Sequence, residues 1–501
     1  MIKVIAFDLD DTLWHVDPVI IRAEQILKDW LIEHVPGFPY DMHYMNQFRK
    51  QVLADEPQLA GRLTEFRRQV IEKALIKGAD FSDVVIFENT SRNINCRLGK
   101  IEEIEQSETQ VLGLRTFIGK KNAITSTNNF NKDSISETID RVIEMTKLTP
   151  EDPLPELAHE TSTKIPDLDL YDNTDLNADK LKEIALDIEN NSLEVKGINN
   201  SNGASASQSK SSIYLATSAG FSNGYKKSNF SASCSVITGS DSNMQTDYDF
   251  DSKVFFNDLK RPSEIGKKAA ENTLSKCNPK KIKTCKLDVV FHPRVARTIL
   301  AHFASLVNGS SIVRGSSFLK EKLNHKIFHD EINIIDNPLI VRGLSSKPFD
   351  DEGCSMNELS LVKNGVLKNW LLDTTTSKQL GMTSNSRASR GVSSPPTPSH
   401  TNLFIDNGNK STEQILSEVN NGFYVTDLIG QGVNLITGDY SRGASGFKIE
   451  NGKISFPINE VTIADNLNNM FKKILISNDL EFLYSINSPT LAIEGMTIAG
   501  V

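Results

Sequence analysis

Two hydrophobic rhythms alternate along this chain, and the points where one gives way to the other divide it. Residues 3–9 form a short apolar run, the pattern of a buried strand. Residues 19–34 place Val19, Ala23, Ile26, Leu27, Trp30 and Leu31 on one face of an amphipathic helix. Helical patterning resumes at 47–53 and 64–77, and Gly78 stands where a glycine closes a helix. The period then changes. Runs at 84–88, 93–98, 101–106 and 112–118 read as successive strands, with Gly99-Lys100 and 119–121 as hairpin connections. A helix is expected over 134–146 behind a serine cap. Connectors rich in Pro and Asp at 151–158 and 166–172 mark a boundary.

Beyond it, 178–188 is again amphipathic and helical. The Ser/Asn/Gly-rich stretch 197–225 has the composition of a linker. The alternation of Ile213 with Leu215, and of Ala232, Cys234 and Val236, predicts ordered strands with one polar face instead. Asp247, Asp249 and Asp251 would share one face of a strand over 244–251 and could bind a cation there, with a solvated edge as the expectation. A helix follows at 264–277. Residues 289–319 read as a short strand, a Pro-started helix over 295–307, and a Gly/Ser turn into another extended run. On that helix Val295, Ile299, Leu300, Phe303 and Leu306 form the apolar face. Asn364-Gly365 and Asn451-Gly452 predict type I′ hairpin turns, and 386–405 a Pro/Ser loop followed by a strand.

With 501 residues the chain is long enough for several domains, and its 38% hydrophobic and 24% charged content is that of a globular protein. A net charge of −9 gives no electrostatic reason to expect nucleic acid. No apolar run approaches the roughly 18 residues of a membrane span, and acids interrupt the N-terminus too early for a secretory core. Cys96, Cys234, Cys277, Cys285 and Cys354 are scattered and form no C-x-x-C pair, so reduced thiols and a cytoplasmic location are expected.

Two stretches carry candidate chemistry. DLDDTLW, from Asp8, is a strand end that delivers carboxylates, a good Mg²⁺ and phosphate-handling arrangement. It resembles the first motif of the haloacid dehalogenase-like (HAD) hydrolases. That resemblance implies Asp8 as a nucleophile toward phosphorus and Asp10 as general acid/base, with Mg²⁺. The later motifs of that family are not found, so residues 1–78 read as an incomplete HAD-like segment. LGKIEEIEQSETQVLGLRTFIGKK, GDYSRGASG and NSPTLAIEGMTIAG belong to a second pattern, which runs from about residue 79 to 501. It resembles the TldD/PmbA (TldE) peptidase family. The resemblance implies a strand-rich α+β fold in two parts, α/β first and β-rich after, divided at 79–150, 151–285 and 286–501.

In TldD-like relatives the helix at 295–307 carries H-E-x-x-x-H, and a distant cysteine completes a zinc site. Here only His302 matches, with Phe303 and Val307 at the other two positions and no cysteine at 476–481. His302 is therefore expected to be a satisfied core or interface histidine. The resemblance implies a PmbA/TldE-like subunit of a metallopeptidase, with no metal bound by this chain alone and the zinc in a TldD-like partner of a heterodimer. Its substrates would be unfolded peptides, as in the maturation of peptide antibiotics and the degradation of antitoxins. Neither nucleic acid nor membrane would be a partner. The groove would use Arg442 against a peptide carboxylate and the backbone of Gly438, Asp439, Gly443 and Gly446, with 386–405 also lining it. Alternatives are a Mg²⁺-dependent phosphohydrolase led by Asp8 and Asp10, a non-catalytic peptide-binding scaffold, and a self-sufficient zinc protease. For the last, His292, His325 and His329 have spacings that match no standard site.

Overall fold

Long antiparallel strands organise the first half of the chain. The computed structural model describes residues 62–162, 164–240 and 243–500. Asp8, Asp10 and the helical patterns at 19–34 and 47–53 lie outside them. Strands β1 (Phe81–Arg97) and β2 (Lys100–Ile118) are each continuous where the hydrophobic pattern suggests two runs apiece. Their polar middles pair residue for residue, Glu88 opposite Gln110 and Arg92 opposite Gln106. The turn between them is Leu98-Gly99, one residue earlier than expected, both in the left-handed region (φ 48° and 73°) as a type I′ turn needs. β3 (Lys121–Thr127), β4 (Asn200–Thr217), β5 (Ser222–Thr238) and β6 (Gln245–Lys253) complete one sheet in the order β3-β2-β1-β4-β5-β6. The Ser-rich stretch is thus ordered strand, as its alternation predicts.

One face of this sheet carries two apolar patches. At one end Val84, Ile86, Leu112 and Leu114 receive helices α1 (Arg62–Ile76) and α2 (Lys132–Leu148). At the other, Ile94, Ala204, Ala206 and Phe230 receive α3 (Ala178–Leu193) and α4 (Pro262–Ser275). Because strand side chains alternate between faces, Glu88, Thr90 and Arg92 point the same way between the patches, which is why β1 reads as two strands. The helical pattern at 64–77 falls within the stretch that reads as an incomplete HAD-like segment. It is α1, whose Val70, Ile71 and Ala74 are buried against this sheet. The cap of α2 is Asn131, whose side chain accepts from the Ser134 amide, rather than a serine. α3 and α4 approach closely at Gly266, where an added Cβ would lie 2.3 Å from the Ile188 carbonyl oxygen.

The second half closes into a barrel. β7 (Cys285–Phe291) is flanked by β8 (Asn421–Ile429) and the C-terminal β12 (Leu491–Ala499). β8 continues to β9 (Asp439–Glu450) and β10 (Lys453–Asn466), and β10 pairs back onto β12. A short β11 (Ile474–Ile476) adds to β12. Helix α5 (Pro293–Leu306) packs its apolar face into the core of this half. The extended run expected after it is instead a second helix, Gly309–Arg314, capped by Asn308 and ended by Gly315 in the left-handed region (φ 70°). Both predicted Asn-Gly turns have two left-handed residues, at φ 49° and 75° for Asn364-Gly365 and 52° and 73° for Asn451-Gly452. Among the described residues no helix is long and apolar enough to cross a membrane.

The two halves meet on the opposite face of the long sheet. Val85, Leu215 and Phe221 pack on Phe349, and Gly113 lies so close that an added Cβ would be 1.8 Å from the Val392 carbonyl oxygen. Beside them Asp83, fully buried, bridges Arg115 (Nε at 2.6 Å) and Arg390. Burial opposes its ionisation, but the two guanidinium groups outweigh that and hold its carboxyl below the usual range. Asp83→Asn leaves two buried cations without an anion and is expected to destabilise the fold by roughly 3–5 kcal/mol in thermal or denaturant unfolding. With a folded-state pKa below the unfolded one, the wild-type contribution is complete above the unfolded carboxylate value and lost as pH falls through the folded value. The stability gap between wild type and variant therefore narrows in acid, and a gap constant with pH would contradict this role.

Candidate functional site

The start of α5 concentrates cationic chemistry. Pro293 occupies the first helical turn, and the Nδ1 of His292, the capping residue, accepts from the Arg294 amide at 3.1 Å. Three-residue spacing then sets Arg294 and Arg297 on neighbouring positions of the helix surface. Arg294 is saturated. It donates to both oxygens of Asp247 (2.9 and 3.0 Å), to Asp427 (2.9 Å) and, through Nε, to the Thr426 carbonyl (2.7 Å). Lys276 reaches the same two carboxylates at 2.8 and 2.7 Å. Burial would raise the carboxyl of Asp247, but Arg294 and Lys276 hold it below the ordinary range. The expected solvated edge of Asp247 is in fact a buried ion-pair network, because the face it occupies meets α4 and the Arg294 side chain rather than water.

Next to this network lies a cleft of about 680 Å³ between β6, α5 and the β8–β9–β10 edge of the barrel. Arg297 and Arg442 both line it. Arg297 stacks on Tyr484, its guanidinium carbon 4.0 Å from the ring centroid. Among the described residues neither arginine has a carboxylate partner, and the Nε of each is buried without an acceptor. Met244, Tyr248 and Ile429 expose apolar surface at the rim.

His302 lies one helical turn and more further along α5. Its ring meets Tyr440 edge-on at 6.2 Å, and its Nε2 is buried with no hydrogen-bond partner, so the satisfied histidine expected from the sequence is unsatisfied at that atom. Burial, with Arg442 adding to it, lowers its pKa to about 4. Burial likewise pushes the Tyr440 phenol up, against the opposing pull of Arg442. Phe303 and Val307 face the apolar core, Phe303 packing on Phe328 and Phe471 at centroid distances of 5.5 and 6.1 Å. A tetrahedral zinc site requires three or four nitrogen, sulfur or carboxylate donors. Among the described residues no group of three His, Cys, Asp or Glu side chains converges to supply them. The cation of Arg442 beside His302 would further oppose a dication. This donor set does not fit zinc.

Of the residues singled out from the sequence, Arg442, Gly443 and Gly446 line the cleft. Gly438 and Asp439 sit at the start of β9, outside that lining. Gly438 is left-handed (φ 83°), and the Asp439 carboxylate accepts from Thr437 Oγ1 at 2.6 Å. Residues 439–446 are strand. Gly446 lets them run tight against β8, since a Cβ there would lie 1.9 Å from the Tyr424 carbonyl oxygen. Thr397 and Pro398 of the 386–405 stretch line a separate cavity of about 330 Å³ beside Ser305 and Asn308. His292 is a helix cap, lowered to about 4 chiefly by burial. Sequence reasoning missed Arg294, Arg297, Lys276, Asp427 and Tyr440. The two arginines at three-residue spacing behind a Pro start were the one local signal.

His292 and His302, each near 4 in the fold against 6.5 outside it, are neutral at pH 7. Their linkage leaves stability full above pH 6.5 and lowers it as pH falls toward 4, because the unfolded chain binds the protons first. Ring-proton NMR is expected to show the His302 midpoint near pH 4, moving upward in Arg442→Gln. A midpoint near 6.5 would show the burial argument to be wrong.

Family comparisons agree over most of the chain. Residues 82–146 match the PmbA/TldA metallopeptidase domain 1, 171–276 its central domain and 284–500 its C-terminal domain. The metalloprotease PmbA homolog of Haemophilus influenzae is 34% identical over 86% of this chain and 94% of its own length. Metalloprotease PmbA of Escherichia coli O157:H7 is 32% identical over 87% and 97%. The crystal structure of TldE from Thermococcus kodakarensis shares the fold, with a TM-score of 0.77 at 20% identity over 87% of this chain and all of that one (100%). The chain belongs to the PmbA/TldA metallopeptidase family.

Proposed function

We propose that this chain is the PmbA/TldE-type subunit of a two-protein metallopeptidase, acting on unfolded peptides with its zinc held by a TldD-like partner. The observation that carries this reading is the interior of α5. The two positions where TldD-like relatives carry Glu and His are Phe303 and Val307, each at most 1% exposed and packed in the apolar core. Restoring a metal site would require charged or polar ligands in that core. The hydrolytic step is then the partner's. What this chain's own residues supply is binding and orientation: a cleft with cationic walls, an apolar rim and neighbouring strands able to hold an extended peptide through its backbone.

The decisive measurement is zinc content of the purified chain, alone and after mixing with a TldD-like protein, alongside hydrolysis of an unfolded peptide. The expectation is no stoichiometric zinc in the chain alone, one zinc per heterodimer, and hydrolysis by the mixture only. Stoichiometric zinc in the isolated chain would overturn the reading. Peptide binding without hydrolysis in any mixture would make the chain a scaffold, and phosphatase activity would return the function to Asp8 and Asp10.

A further inference from the structure

The cleft beside α5 holds more positive charge than its own anions neutralise. Lys276 and Arg294 are balanced by Asp247 and Asp427. Glu460, on the barrel wall, pairs with Lys281 at 3.2 Å. Arg297 and Arg442 remain. Both are half-buried, both have an Nε sealed from water without an acceptor, and both line the same cleft. A partly desolvated guanidinium with no counter-ion is costly, and an anion entering the cleft relieves that cost while making charge-assisted hydrogen bonds.

The rim decides which anion. Met244 and Ile429 are 55% and 69% exposed, and Tyr248 lies beside them, so apolar surface adjoins the two guanidinium groups. A free phosphate would leave that surface wet. A peptide's last residue offers both halves at once, a carboxylate for the arginines and a side chain for the rim. We propose that Arg297 and Arg442 bind the free C-terminal carboxylate of an extended peptide whose last side chain is apolar, and so orient the substrate by its C-terminal end. This rests on the peptide-binding reading above and gives that reading a direction.

The test uses the full chain without any partner, so it does not depend on zinc or hydrolysis. Fluorescence anisotropy is measured with a short disordered peptide ending in leucine, as the free acid, as the C-terminal amide, and as the amide with one internal glutamate. The free acid is expected to bind roughly tenfold or more tighter than either amide. Arg297→Gln and Arg442→Gln should each shrink that gap. Lys180→Gln, on the exposed surface of α3, should leave the gap intact. Melting temperatures establish that the variants fold, and Arg442→Lys, which keeps the charge but not the two-pronged geometry, should retain part of the gap. Equal binding of acid and amide would remove the carboxylate subsite yet leave peptide binding standing. Recovery of affinity by the internal glutamate would reassign the site to acidic side chains. Equal displacement of acid and amide by inorganic phosphate would reduce it to a general anion site, and no binding of any form would overturn both readings.

Discussion

Two carboxylates and two cations meet where the long sheet touches the barrel, and the placement of the cleft depends on them. Asp247 comes from β6, Asp427 from β8, Lys276 from the end of α4 and Arg294 from the start of α5. Four segments distant in sequence are held at one point by contacts of 2.7–3.0 Å. Each charge is matched, which is the condition under which a buried network holds structure instead of destabilising it. The irregularity of β8 between Val425 and Asp427 serves the same point, bringing the Thr426 carbonyl onto Arg294 in place of a regular ladder bond. With Arg294 consumed in this way, Arg297 is the arginine of that helix left facing the cleft.

The same helix is seated by apolar packing. Its Pro start, its amphipathic period and its seat in the barrel core do not require zinc. Its core side has aromatic packing among Phe303, Phe328 and Phe471 and a fully buried Val307. His302 remains at the boundary between that core and Arg442, its proton affinity lowered by both.

Features set by neighbouring residues were legible in the sequence. The Asn-Gly turns, the Pro-started α5 and the alternating Ser-rich strands follow from local stereochemistry and period, and the family followed from motifs spread over most of the chain. Features set by distant partners were not. Asp247 looks the same on a solvated edge as it does against Arg294, 47 residues away. The polar middle of β1 looks like a break until β2 and β4 are in place to pair with it. The glycines of GDYSRGASG do not by themselves show their role, and Gly446 serves close packing of adjacent strands. Helix Gly309–Arg314 has a weak intrinsic signal and is held by its asparagine cap and its packing. Of the cleft, Arg442 was visible through its motif, while Arg297 acquires meaning only once the opposite wall is known.

The continuity of β1 and β4 has a mechanical consequence. Residues 83–96 of β1 pair without interruption along β4, so the segments matched by the first and central family domains share one hydrogen-bonded ladder. A hinge between those segments would have to break a row of backbone bonds, and the pair therefore moves as one stiff beam. Among the described residues no strand ladder joins that beam to the barrel. One part of the junction between them is apolar packing and buried charge around Asp83, and the other is the ion-pair network around Arg294. The cleft proposed to take a peptide thus lies beside a seam that, among the described residues, ion pairs and apolar packing hold together rather than a strand ladder.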